Sequence, residues 1–344
     1  MSGSAASAPL FQRLQRWAKP VLTLALLIAI PILLYLQLRD TDWQEVGESL
    51  RGYPLWVLGL GAVLALASYL NYSCYDLLGR HYTGHTLPVR QVLPLVFVCY
   101  AFNLNLNALV GGIALRFRLY SRLGLDVPTI TKVFSLSVIT NWLGYLWLGG
   151  IIFALGVVPL PASWEIGSNG LRLIGVVMVI VALCYLAACA FSRKRKWHVR
   201  RHTIELPGWR LALFQALLGA FNWLLMASLM WLLLPEDVAY PTVLGILLIS
   251  SIAGAIAHIP AGLGVLETIF LALLQEVPKG GVIAALIAYR ALYYLLPLSI
   301  ALVTYLIMEK RAKAMRESNT EAHTEPREQQ ASAMREADCR ARGR

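Results

Sequence analysis

The chain predicts an all-α fold: a polytopic membrane helix bundle with about six full spans and two re-entrant helical hairpins in an inverted repeat. Three observations lead there. Of the 344 residues, 58% are hydrophobic and only 14% charged, and apolar runs long enough to cross a hydrocarbon core of about 30 Å as helices recur along the chain. Positive charge gathers in a few loops instead of spreading evenly, as it does where loops stay cytoplasmic. Two of the apolar runs are broken by glycine or proline, and lipid tolerates broken backbone only where protein or a water-filled cavity surrounds it.

The apolar segments run over 19–38, 54–74, 92–111, 130–157, 170–191, 210–234, 241–276 and 282–308. The first follows Arg13, Arg16 and Lys19 with no small-x-small cleavage site after it, so it is expected to remain as a span behind a cytoplasmic segment 1–18. Loop 39–53 is acidic (Asp40, Asp42, Glu45, Glu48), as is 235–241 (Glu236, Asp237). The stretch Arg116–Lys132 and the end at Lys310-Arg311-Ala312-Lys313 are basic. Loop 193–210 carries Arg193, Lys194, Arg195, Lys196, Arg200, Arg201 and Arg210 against the single acid Glu205, which fixes it as cytoplasmic.

Eight simple crossings would put both Arg116–Lys132 and 193–210 outside. A hairpin at 92–111 that enters and leaves from the cytoplasm returns both loops to the inside. The basic C-terminal end then requires 241–276 to enter from the outside and turn back. Its 36 residues would measure about 54 Å as one helix, so two half-helices joined at Pro260–Gly264 are expected. Segments 54–74, 92–111 and 130–157 then run opposite to 210–234, 241–276 and 282–308, with 170–191 between the halves. Broken helices meeting inside an inverted repeat are a recurring transporter design. Both termini are expected in the cytoplasm, and the membrane domain spans 19–308. The polar, charged residues 309–344 are expected to form a disordered tail.

The net charge of +11 lies beside membrane segments, so no nucleic-acid partner is expected. Cys74, Cys99, Cys184, Cys189 and Cys339 show no CxxC or metal-ligand spacing, and neither a metal nor a cofactor is expected. Walker, HExxH and GxSxG motifs are missing from the sequence, which argues against P-loop ATP hydrolysis, zinc proteolysis and α/β-hydrolase chemistry.

Two sets of residues could carry function. In the first hairpin, Asn103 and Asn107 share a helical face while Asn105 points away, ahead of the break at Gly111-Gly112. They either hydrogen-bond neighbouring helices or form a polar wall for a head group. Arg116 and Arg118 follow, either as part of an interfacial basic helix or, for Arg116 beside the glycines, as a guanidinium gripping a phosphate. The second set is His258, Glu267 and Arg290, around the break Pro260, Gly262 and Gly264. Glu267 and Arg290 form either a structural ion pair or a site where one partner holds a phosphate or takes a proton. His258 is either a packing residue or a titrating group. Tyr289, Tyr293 and Tyr294 lie beside Arg290 and can be read as an interfacial aromatic belt, with Tyr289 alternatively along the pathway. The text Gly111-Gly112-Ile113-Ala114-Leu115-Arg116 parallels Gly262-Leu263-Gly264-Val265-Leu266-Glu267, which puts Arg116 and Glu267 at corresponding positions of the two halves.

The stretches Asn107–Leu123 (NALVGGIALRFRLYSRL), Ile259–Glu267 (IPAGLGVLE) and Ala288–Pro297 (AYRALYYLLP) resemble the transmembrane region of bacterial lysylphosphatidylglycerol synthase/flippase proteins, including stand-alone YbhN-like inner-membrane proteins of that family. The resemblance covers about residues 20–308. It implies a multi-pass bacterial inner-membrane domain with re-entrant helices that moves a phospholipid between leaflets. It also implies membrane phospholipid as the partner, with a homo-oligomer or a partner synthase left open. The full synthases carry an aminoacyltransferase domain after the membrane part. A short charged tail stands there in this chain, so no synthesis of lysylphosphatidylglycerol is expected. The leading expectation is a phospholipid translocase handling anionic glycerophospholipids without its own ATPase. The alternatives are a membrane-embedded transferase acting on a lipid-linked substrate and a non-catalytic partner of lipid machinery.

Overall fold

A computed structural model describes residues 43–105, 112–158, 160–161, 167–192, 196–199, 202–235, 238–257 and 262–311. The first apolar segment, the C-terminal tail, Asn107, Gly111, His258 and Pro260 lie outside the described residues. The helices are α1 Trp43–Gly52, α2 Leu55–Thr83, α3 Val89–Asn105, α4 Leu115–Arg122, α5 Val127–Leu155, α6 Gly167–Phe191, α7 Trp209–Leu233, α8 Tyr240–Ala257, α9 Val265–Leu273 and α10 Lys279–Tyr289. Helix α10 continues through a π-helical stretch, Arg290–Leu295, to make a helical segment Lys279–Arg311. The chain divides into two compact units, Met1–Leu298 and Ser299–Arg344, and the packing and the site described below lie in the first.

The interruption expected at Pro260–Gly264 falls between two described helices, whereas residues 106–111 of the first hairpin lie outside the described residues. The 241–276 segment is two helices, with Gly262 and Gly264 between them at φ of +55° and +82°, a region that glycine reaches without steric cost. Among the described residues, six helices are long and apolar enough to cross a bilayer: α2, α5, α6, α7, α8 and Lys279–Arg311. The number agrees with the expectation but the membership differs: segment 19–38 lies outside the described residues, and α8, expected as one arm of a hairpin, qualifies by its own 18 residues. Each half repeats the order of one long helix, an interrupted pair and another long helix.

Helix α5 is the hub, packed against α2, α6, α7 and α8. Gly144 and Gly219 stand backbone to backbone where α5 crosses α7, and Gly150 and Gly175 do the same where α5 crosses α6. A Cβ at any of these positions would collide with main-chain atoms or a packed side chain, which is how small residues bring membrane helices together. Gln215 fastens the α5–α7 crossing, donating to Thr140 Oγ1 at 2.9 Å, and accepts from Tyr185 of α6 at 3.3 Å. Helix α6 shows Leu173, Ile174, Val176, Val177, Ile180 and Val181 outward, an apolar face suited to lipid.

Two elements went unpredicted. Helix α1 forms within the acidic loop and packs against α10. The basic loop holds a short antiparallel ribbon, Lys196–Val199 with His202–Glu205.

Candidate functional site

The middle of α2 reads Ser68-Tyr69-Leu70-Asn71-Tyr72-Ser73-Cys74-Tyr75-Asp76, and it supplies the polar centre of the first half. Tyr72 and Asp76 stand one turn apart on the same face. Asp76 is fully buried, and Arg116 of α4, only 2% exposed, reaches it with Nη2 3.1 Å from Oδ1. The hydroxyl of Tyr120, one turn along α4, donates to Asp76 Oδ2 at 2.7 Å. Arg116 also lies over the Phe134 ring, 5.3 Å from its centroid. A buried carboxylate and guanidinium persist together because each neutralises the other. Arg116 Nε is buried with no hydrogen-bond partner among the described residues.

Beside this pair lies a cavity of about 160 Å³ between α2, α3, α4 and α5, whose lining includes Tyr72, Tyr100, Asn103, Arg116, Asn141 and Trp142. Asn103 is held against Gly112, where a Cβ would fall 2.5 Å from Asn103 Oδ1. The break glycine therefore makes room for the amide. Asn105 turns away from Asn103, donating to Ala101 O at 2.9 Å and Tyr294 O at 3.4 Å. Arg118 is exposed and stands outside the cavity lining, on the basic face it shares with Arg122.

In the second half Glu267 and Arg290 do meet. Arg290 Nε donates to Glu267 Oε1 at 2.6 Å and Nη2 to Oε2 at 3.1 Å, a bidentate pair. The same carboxylate accepts the Gly264 N–H at 2.8 Å, so it caps α9 as well. Arg290 Nη2 further donates to Gly262 O at 3.1 Å, and its guanidinium lies 5.0 Å over the Tyr294 ring. The correspondence of Arg116 with Glu267 thus gains a charge reversal. The broken segment carries the cation in the first half and the acid in the second.

A buried hydroxyl chain joins the halves. Tyr100, on the cavity wall, meets Tyr293 Oη at 3.1 Å; Tyr293 meets Ser68 Oγ at 2.9 Å; and Ser68 donates to Asn222 Oδ1 at 2.9 Å. Pro297 has no N–H to offer the Tyr293 carbonyl one turn back, and Tyr69 Oη donates to it instead at 3.0 Å. Tyr289 stacks on Tyr293 with centroids 5.3 Å apart, and both are buried, which places them in the core and not in an aromatic belt. Asp76, Tyr120, Tyr100, Ser68 and Asn222 are not among the residues that the sequence singles out; for Asp76 the reason is that the apolar segment 54–74 stops two residues short of it. A polar face at Ser68, Tyr69, Tyr72 and Asp76, repeating at helical spacing, was the signal available.

Apolar helices around a half-open cavity and two buried or half-buried ion pairs define an integral, multi-pass membrane protein with polar groups inside it. The chain belongs to the lysylphosphatidylglycerol synthase transmembrane-region family, whose sequence model matches residues 22–301. It is 49% identical over 311 residues to Inner membrane protein YbhN of Escherichia coli K12, covering 89% of this chain and 98% of that one. It is 30% identical over 321 residues to Uncharacterized protein slr0712 of Synechocystis, covering 91% and 99%. A Phosphatidylglycerol lysyltransferase of Staphylococcus haemolyticus is 26% identical over 301 residues, which are 85% of this chain and 34% of that one.

Proposed function

We propose that this protein is a phospholipid translocase of the bacterial inner membrane. In this reading the two interrupted segments dip into the bilayer from opposite sides, and the cavity beside Arg116 takes the phosphate of an anionic glycerophospholipid. The observation that carries the reading is Arg116 itself: a buried guanidinium on the wall of a largely apolar cavity, with an Nε that hydrogen-bonds no described residue. At about 160 Å³ the cavity is smaller than the roughly 300–1,000 Å³ that encloses a whole drug-sized ligand. It suits a head group whose acyl chains stay in lipid. Kinship with a family whose name includes lysylphosphatidylglycerol synthase supports a phosphatidylglycerol-like cargo.

Full-length protein reconstituted with fluorescent phosphatidylglycerol should speed its movement between leaflets, and Arg116→Ala should abolish that movement in protein that still folds. Equal rates in liposomes with and without protein would reject the proposal, and loss of a lipid species from cells lacking the protein would favour a transferase. The topology has its own test. Cysteine replacing Lys132 should be labelled from the cytosol and cysteine replacing Lys279 from the other side; labelling of both from the cytosol would refute the opposed hairpins.

A further inference from the structure

We propose that the protein moves a proton with its lipid, Asp76 becoming protonated as the lipid phosphate displaces it from Arg116. The inference rests on the translocase reading and adds to it a driving ion. Asp76 and Arg116 together carry no net charge in a fully buried place. A phosphate entering beside Arg116 would bring an uncompensated negative charge into a low-dielectric interior, where it is strongly disfavoured. Uptake of one proton by Asp76 removes that charge. The guanidinium then pairs with phosphate, the carboxylic acid is neutral, and the sum is unchanged.

The groups facing Asp76 suit this exchange. From α4 come Arg116 and Tyr120; from the α2–α3 loop, His85; from α5, Ser137; and from its own helix, Tyr72. Cys99 of α3 lies within electrostatic reach of both ions. Tyr120 already donates its hydroxyl proton to Asp76 Oδ2. The ring of His85 lies edge-on to Tyr120 with centroids 6.4 Å apart, and both its nitrogens are buried with no partner among the described residues. His85 sits in the loop that the charge pattern assigns to the cytoplasm. A proton arriving there from water passes to the Tyr120 oxygen, with a water molecule or a ring rotation between them, as the Tyr120 proton moves to Asp76. One proton enters, Asp76 holds one, and His85 and Tyr120 are unchanged. A proton gradient would then supply the energy for movement.

The test uses full-length protein in weakly buffered detergent with a pH dye and dihexanoyl phosphatidylglycerol as the probe. Binding should take up close to one proton per lipid near neutral pH, and Asp76→Asn should bind lipid with no uptake. The carboxylic-acid C=O band should appear in the infrared difference spectrum of the wild type on lipid addition, a readout that stands even if Asp76→Asn fails to fold. In proteoliposomes, an imposed pH gradient should skew the leaflet distribution of labelled phosphatidylglycerol. Lipid binding and movement without proton uptake, without the band and without response to the gradient would overturn the proton proposal alone. Absence of lipid binding at every pH would overturn both.

Discussion

Arg290 clasps the interruption it faces. Its Nη2 reaches the carbonyl of Gly262 at 3.1 Å while its Nε holds Glu267 at 2.6 Å, so one guanidinium satisfies both the exposed backbone of the break and the acid that caps the following helix. Arg290→Ala should therefore lower stability by about 3 kcal/mol, the lower end of what removing one partner of a buried ion pair costs. Glu267→Gln, which keeps an acceptor for Gly264 N–H, should cost less, and Gly264→Ala should cost about 1–2 kcal/mol through its left-handed φ. Thermal unfolding in detergent checks the order, and an Arg290→Ala midpoint equal to wild type would refute it.

Asp76 and Arg116 separate stability from function. Asp76→Leu alone should destabilise by about 3–5 kcal/mol, because it leaves a buried guanidinium uncompensated. The double change Asp76→Leu with Arg116→Met should regain most of that stability, since apolar replacement of both partners is often neutral. It should not regain lipid movement. A double variant that transports lipid at the wild-type rate would remove Arg116 from the proposed site.

The α5–α7 crossing leaves no room for a side chain. Gly219→Val presses on the backbone of Thr140 and Gly144, and overpacking of this kind costs about 1–3 kcal/mol or more. Gly59→Val, with nothing within 4 Å of its Cβ, serves as the control. Size-exclusion profiles of the two should differ, with aggregation confined to Gly219→Val.

His85 predicts a pH dependence. Burial, and then the neighbouring Arg80, hold its pKa below the ordinary 6.5, with Asp76 opposing. The folded protein therefore prefers neutral His85. Above the unfolded pKa of about 6.5 both states are neutral and the contribution to stability is whole. As pH falls below that value the unfolded chain takes the proton first, and stability declines. Unfolding midpoints between pH 7.5 and 5.5 should fall more in the wild type than in His85→Gln, and parallel curves would contradict the assignment.

Much of the fold was legible because its causes are local. Glycine and proline mark the break at Pro260–Gly264, and length excludes a single helix from 241–276. The Glu267–Arg290 pair was legible as well, because two charges in apolar runs demand a partner. Asp76 was hidden for the opposite reason: it follows four tyrosine-or-cysteine positions that read as the frayed end of a span, and only tertiary packing by α4 makes that end interior. Helix α1 was hidden because its amphipathic pattern is short and its acids read as loop.

The hydroxyl chain fixes which way its protons point. An ionised or amide oxygen only accepts, so with Ser68 donating to Asn222 Oδ1, Tyr293 donates to Ser68 and Tyr100 to Tyr293. Tyr100, which lines the cavity, then has no hydroxyl proton left to offer there, only lone pairs. If the cargo proposed above enters, its glycerol hydroxyl would find an acceptor there and its phosphate would not, which would turn the anionic end toward Arg116. Replacing the glycerol by choline, which offers no such hydrogen, should weaken binding in the wild type and much less in Tyr100→Phe; equal weakening in both would mean that Tyr100 never greets the cargo.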